Sequence, residues 1–141
     1  MNFIYLSDLL ISNHQMRRTE SREDYLVTIL QLSSEKDFVR AIDVVRAMHF
    51  SKPSVSIAMN KLSEEGMVEI DHKGHITLTE EGYEIASKVH ERHKKIAKLL
   101  VNLGVSEEVA DEDASKLEHD FSDETWAIIK KHIENVIGKI D

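Results

Sequence analysis

The chain has 141 residues, no cysteine and a formal net charge of −8, so it holds one domain or two small ones and excludes disulfides and thiolate metal centres. The charge argues against an extended nucleic-acid surface, but nine acids against Lys116 in residues 107–125 account for all of it; the other 122 residues balance 17 bases with 17 acids. A local basic face built from Arg40, Arg46, Lys52, Lys61 and Lys73 therefore remains compatible with DNA.

Residues 1–11 are fairly apolar, yet Asp8 interrupts them, no basic residue precedes them and no longer apolar run follows. Neither a leader nor a membrane span is expected, and the chain reads as a soluble cytoplasmic protein. Met16-Arg-Arg is an alternative start, which makes residues 1–15 an upstream extension. The other reading is a helix that packs on a partner. A first helix is predicted over 21–32, with Ser21 as N-cap, Asp24 at the capping-box position and Tyr25, Leu26, Ile29 and Leu30 on one face. Ser33–Asp37 breaks it, and Ala41, Ile42, Val45 and Met48 form a second, short helix that leads through His49-Phe50 into a tight turn.

The third helix carries the most information. Ser51 is a good N-cap, Pro53 is tolerated only in a first turn, and Val55, Met59 and Leu62 recur as a buried stripe. The opposite face offers Ser54, Ser56, Ile57, Asn60 and Lys61, a mixture suited to phosphate oxygens and base edges. Two helices joined by a short turn make a helix-turn-helix, with this one as the recognition helix. Val68, Ile70, Ile76 and Leu78 alternate around Asp71-His-Lys-Gly74, which predicts a hairpin wing carrying Lys73 near its tip. His72 and His75 flank that tip, where phosphate or solvent contact fits better than a metal.

The second half is predicted all α. Thr79-Glu-Glu-Gly starts a long helix with Val89, His93, Ile96, Leu100 and Leu103 as a seam for another helix, in this chain or a second copy. Ser106 opens an acidic helix with Ala110, Ala114, Leu117 and Phe121, and Ser122 opens a last one through Trp126, Ile129, Ile133, Val136 and Ile137. In the acidic helix Ser115, Glu118 and His119 share a face, so a carboxylate and an imidazole can bite one divalent ion; an incidental histidine on a solvated acidic face is the alternative. His93 in the seam is either a hydrogen-bonded core histidine or a ligand. Asp24 is either a capping acid or a fourth ligand. Asp24, His93, Glu118 and His119 together supply two oxygens and two nitrogens, a set suited to Mn²⁺, Fe²⁺ or Zn²⁺. No nucleophile elbow, phosphate loop, dinucleotide fingerprint or His-Glu-x-x-His pattern occurs, so no enzyme is expected.

The order of these motifs resembles the diphtheria toxin repressor and manganese transport regulator family of metal-dependent repressors. The matching pieces are Glu23-Asp-Tyr-Leu26, Phe50-Ser-Lys-Pro-Ser-Val-Ser56, Leu78-Thr-Glu-Glu-Gly82, Arg92-His93 before Leu99-Leu100, and Leu117-Glu-His119 before Phe121-Ser122. The resemblance covers about residues 19–137 and looks like the short, two-domain members without an SH3-like domain. It implies a mainly α homodimer, with a winged-helix DNA-binding domain over 1–78 and an α-helical metal-binding and dimerisation domain over 79–141. Metal ligation by Asp24, His93, Glu118 and His119 is implied, as is DNA contact through Ser51, Pro53, Ser54, Ser56 and the neighbouring face, to which Lys52 is added as a DNA-binding residue. Two positions depart from the family pattern: Val27 and Ser115 stand where the family places further ligands, which removes bridging carboxylates for a second ion. Both departures leave open a winged-helix regulator answering to a small molecule or to nothing, and the exposed Ile57 leaves open a protein-binding winged helix.

Overall fold

The computed structural model describes residues 18–138, with side chains from Arg22 onward. The alternative start at Met16 and the questions attached to residues 1–15 lie outside the described residues. The fold is mainly helical: α1 (Arg18–Glu35), α2 (Ala41–Met48), α3 (Lys52–Glu64), the strands β1 (Val68–Ile70) and β2 (Ile76–Leu78), then α4 (Glu80–Asn102), α5 (Glu107–Leu117) and α6 (Asp123–Ile137). It divides into two compact units, the first ending at Val89 and the second beginning at His90.

In the first unit α1 is longer than its apolar pattern suggests. It begins a turn ahead of Ser21, which therefore does not cap it, and Asp24 lies beyond the first turn rather than in a capping box. At the other end Ser33 and Ser34 do not stop it, because their hydroxyls donate to the carbonyls of Ile29 (2.7 Å) and Gln31 (2.6 Å) and stay within the helix. The helix-turn-helix follows the local rules closely. The carboxylate of Asp43 accepts from the Arg40 N–H at the start of α2 (2.9 Å), and His49 takes a left-handed conformation to end it. Ser51 then caps α3 by accepting from the Ser54 N–H, with Pro53 in the first turn.

The core of this unit is apolar. Leu26, Ile29, Val44, Met48, Val55, Met59, Leu62, Val68 and Ile76 are all buried in one cluster, which Ala86 of α4 joins. The wing is an antiparallel pair with Val68 opposite Leu78 and Ile70 opposite Ile76. Gly74 supplies the positive φ its turn needs, and Asp71 accepts from the Lys73 and His75 N–H groups. The entry to α4 is held by Thr79, whose hydroxyl donates to the Gly66 carbonyl (2.6 Å) and accepts from the Gly82 N–H (3.1 Å). Gly82 has to be glycine: a Cβ there would run into the Met67 carbonyl oxygen.

The second unit contains the rest of α4 with α5 and α6. One apolar cluster has Ile96, Ala97 and Ala114 buried and Leu100, Phe121 and Trp126 packed against them, and Ala110 and Ile133 are buried in this unit as well. Of the predicted α4 seam, Val89, His93 and Ile96 are buried and Leu100 partly so, but Leu103 lies past the last helical residue and is 71 % exposed. Lys95 is buried between Glu91 and Glu134 at 3.0 Å each, and Lys130 also reaches Glu91 at 2.9 Å. No helix among the described residues is long and apolar enough to cross a membrane.

Candidate DNA-reading face and metal centre

The reading face belongs to the first unit. Its buried stripe of Val55, Met59 and Leu62 turns Ser54, Ser56, Ile57, Asn60 and Lys61 outward, all exposed, with Ile57 the most prominent apolar group at 70 %. Ser51, Lys52 and Pro53 are exposed at the N-terminal end of the same helix, where the positive end of the helix dipole favours a phosphate. Lys73 projects from the wing turn and is exposed as well. His75 departs from expectation. It is stacked on Phe38 with ring centroids 4.3 Å apart, its Nε2 is 3.1 Å from Nη2 of Arg40 and its Nδ1 is 3.3 Å from Asp71. A guanidinium only donates, so Nε2 accepts and the ring proton sits on Nδ1, facing the carboxylate. This histidine fastens the wing rather than meeting phosphate.

Of the four predicted metal ligands, three converge within the second unit. His93 on α4 is fully buried; its Nδ1 lies 3.1 Å from Oε2 of Glu118 and its Nε2 lies 3.3 Å from Oδ1 of Asp111. His119 Nε2 lies 3.4 Å from the other oxygen of Glu118, and both side chains are almost wholly covered. Burial pushes the His93 imidazole down to about 3, with His90 and His119 adding to the shift, so the ring is neutral at ordinary pH and keeps a lone pair for an acceptor role. Burial raises the Asp111 carboxyl. Asp24 stands on α1 in the first unit, 1 % exposed.

The ligand pair does not sit inside a helix as its spacing suggests. Glu118 is the C-cap of α5 and His119 belongs to the turn after it, so the pair hangs on a helix end. Ser115 is buried and its hydroxyl donates to the Asp111 carbonyl at 3.0 Å, which occupies its proton inside the helix. Val27 is buried. Asp111 was missed from sequence although a signal exists: it lies four residues before Ser115 and seven before Glu118, on their face of the acidic helix. The donor set in the second unit, two imidazoles and a carboxylate drawn together out of water, fits a borderline divalent ion.

Comparison with known proteins decides the family. Residues 18–76 match the iron dependent repressor N-terminal DNA binding domain, and residues 79–136 match the iron dependent repressor metal binding and dimerisation domain. The chain belongs to the iron-dependent repressor family. It is a DNA-binding transcriptional regulator with a metal-binding and dimerisation domain behind its winged helix. The transcriptional regulator MntR of Escherichia coli O6:H1 is 33% identical over 111 residues, which cover 79% of this chain and 72% of that protein. An HTH-type transcriptional regulator of Methanocaldococcus jannaschii is 34% identical over 124 residues, 86% of this chain and 99% of that one. Among solved structures the manganese regulator SloR superposes with a TM-score of 0.70 at 31% identity, covering 80% of this chain and 53% of its own. The chain thus spans about half the length of that solved relative. The family matches meet between residues 76 and 79, whereas the compact units meet at Val89 and His90, because the first turns of α4 pack into the core of the first unit through Ala86.

Proposed function

We propose that this family member is a cytoplasmic homodimeric repressor of metal-uptake genes, acting by binding rather than by catalysis, with Mn²⁺ or Fe²⁺ as the co-repressor and Zn²⁺ able to substitute. Its working halves divide at Leu78 and Thr79, a DNA-binding part over 1–78 and a metal-binding and dimerisation part over 79–141. Asp24, His93, Glu118 and His119 hold the ion; Val27 and Ser115 provide no donors for a second. Asp111 accepts a hydrogen bond from the His93 Nε2–H, a carboxylate partner that fixes the tautomer and leaves Nδ1 as ligand. The observation that carries this reading is the buried meeting of His93, Glu118 and His119 inside a domain whose family binds metal. When bound, the ion supplies a positive charge that offsets the cost of keeping these carboxylates out of water.

DNA contact falls to Ser51, Lys52, Pro53, Ser54, Ser56, Ile57, Asn60, Lys61 and Lys73, with Ile57 placed to meet a thymine methyl. Two such heads read a two-fold operator when their recognition helices sit about 34 Å apart, one turn of DNA. Val101, Leu103, Val109, Ile128 and Val136, all exposed in the second unit, supply apolar surface for the dimer. Metal selects the DNA-competent arrangement of heads from a looser ensemble, and coupling of ~1–3 kcal/mol changes operator affinity by about 5–150-fold.

The test is operator affinity measured with and without Mn²⁺, Fe²⁺, Zn²⁺ and Co²⁺, alongside Asp24→Ala and His119→Ala. Tightening that both substitutions abolish is the expected result. Affinity indifferent to all four ions favours the second reading, a winged-helix regulator without metal control, which the buried Val27 and the back-bonded Ser115 support.

A further inference from the structure

Arg92 precedes His93 on α4, and its guanidinium is engaged on three sides within the second unit. Nη1 donates to the backbone carbonyl of Glu118 at 3.2 Å. The guanidinium carbon lies 5.2 Å from the centroid of the Trp126 ring. Nη2 approaches Oδ1 of Asp123 at 3.6 Å, but that carboxylate is fully exposed and the pair contributes little. The three partners bracket the turn between α5 and α6. Glu118 closes α5, and Asp123 and Trp126 belong to the first turn of α6.

The turn gains from such a fastening. Glu118 is the C-cap residue, its N–H donating to the Ala114 carbonyl at 3.0 Å, and His119 lies beyond it in the turn, outside the regular helix. Holding the Glu118 carbonyl from α4 ties the ligand pair to the helix that carries His93. A planar guanidinium suits the task because it stacks on an indole and donates in its own plane at once, which a lysine ammonium does not do.

We propose that Arg92 is the positioning residue of the metal centre: through the Glu118 carbonyl and the Trp126 ring it fixes the Glu118-His119 pair relative to His93 and so sets affinity for a divalent ion. This rests on the metal-binding reading above. The test is calorimetric titration of the full chain with MnCl₂, run on the wild type, Arg92→Lys and Asp123→Asn, with thermal unfolding of each in chelator. Arg92→Lys weakens Mn²⁺ binding by about 10–100-fold, the range typical of groups that orient metal ligands, while its metal-free melting temperature and circular dichroism match the wild type. Asp123→Asn leaves both measurements unchanged. Wild-type Mn²⁺ affinity in folded Arg92→Lys overturns the proposal and leaves the metal reading standing. A loss of affinity accompanied by an equal loss of metal-free stability also overturns it, since the arginine is then a general structural support. A wild type that binds no Mn²⁺ overturns both.

Discussion

The two units are built on opposite terms. The first buries a broad apolar cluster running from Leu26 through Met48, Met59 and Ile76; many of its polar groups sit at caps and turns, with Asp24 and Thr28 of α1 buried beside the cluster. The second buries His93, Lys95, Ser115 and Glu118 beside apolar residues that include Ile96, Ala97, Ala114 and Ile133. Apolar burial stabilises by roughly 25 cal/mol per Å² without any change of protonation or bound ion. Buried charges cost free energy unless paired, so their contribution depends on pH, ions and partners. The reading head thereby rests mainly on packing, and the second unit depends more on pH and ions.

The sharpest way to break the constancy of the first unit is Gly82→Ala. The new methyl group collides with the Met67 carbonyl, which is backbone and cannot rotate away. A loss of about 3 kcal/mol, at the upper end for overpacking, is expected in urea unfolding, and added metal does not restore wild-type packing there. Responsiveness in the second unit is measured by adding Mn²⁺ to the chelated protein. At one hundred times its dissociation constant the ion adds about 2.7 kcal/mol of stability; His119→Ala loses most of that gain, and an equal gain in the variant would remove His119 from the site. Smallest in stability terms is Lys61→Ala on the exposed face of α3. It leaves unfolding unchanged, weakens operator binding evenly across sequences, and lowers the slope of log affinity against log salt by about 1.

The same contrast explains what was legible in the sequence. Ser51, Pro53 and the Val55, Met59, Leu62 stripe are local signals read without knowing the fold, and α2, α3, the wing and the capped starts of α5 and α6 lie where they point. Errors came where side chains override local preference. Ser33 and Ser34 look like a break but bond back into α1, and Arg18 to Glu20 extend that helix without any apolar signature. In the second unit the pattern placed Glu118 and His119 on a continuous helix, whereas α5 ends before them. Their approach to His93 depends on the path of a turn, and the guanidinium of Arg92 that holds it carries no periodic signal. Asp111 could have been found, since helical spacing puts it on the ligand face; its pairing with His93 required the fold.

The Phe38, Arg40, Asp71 and His75 cluster bears on how control must travel. The wing is joined to the loop ahead of α2 by a stacked ring and two polar contacts, and by the Ile76 N–H donating to the Val39 carbonyl at 2.7 Å. The hairpin is therefore fastened to the helix-turn-helix through the loop ahead of α2, and the two make one jaw. Under the proposed metal control, a signal acts on where the whole jaw is held rather than on its bite: it alters how often two jaws meet the DNA in step and leaves the sequence each one reads untouched.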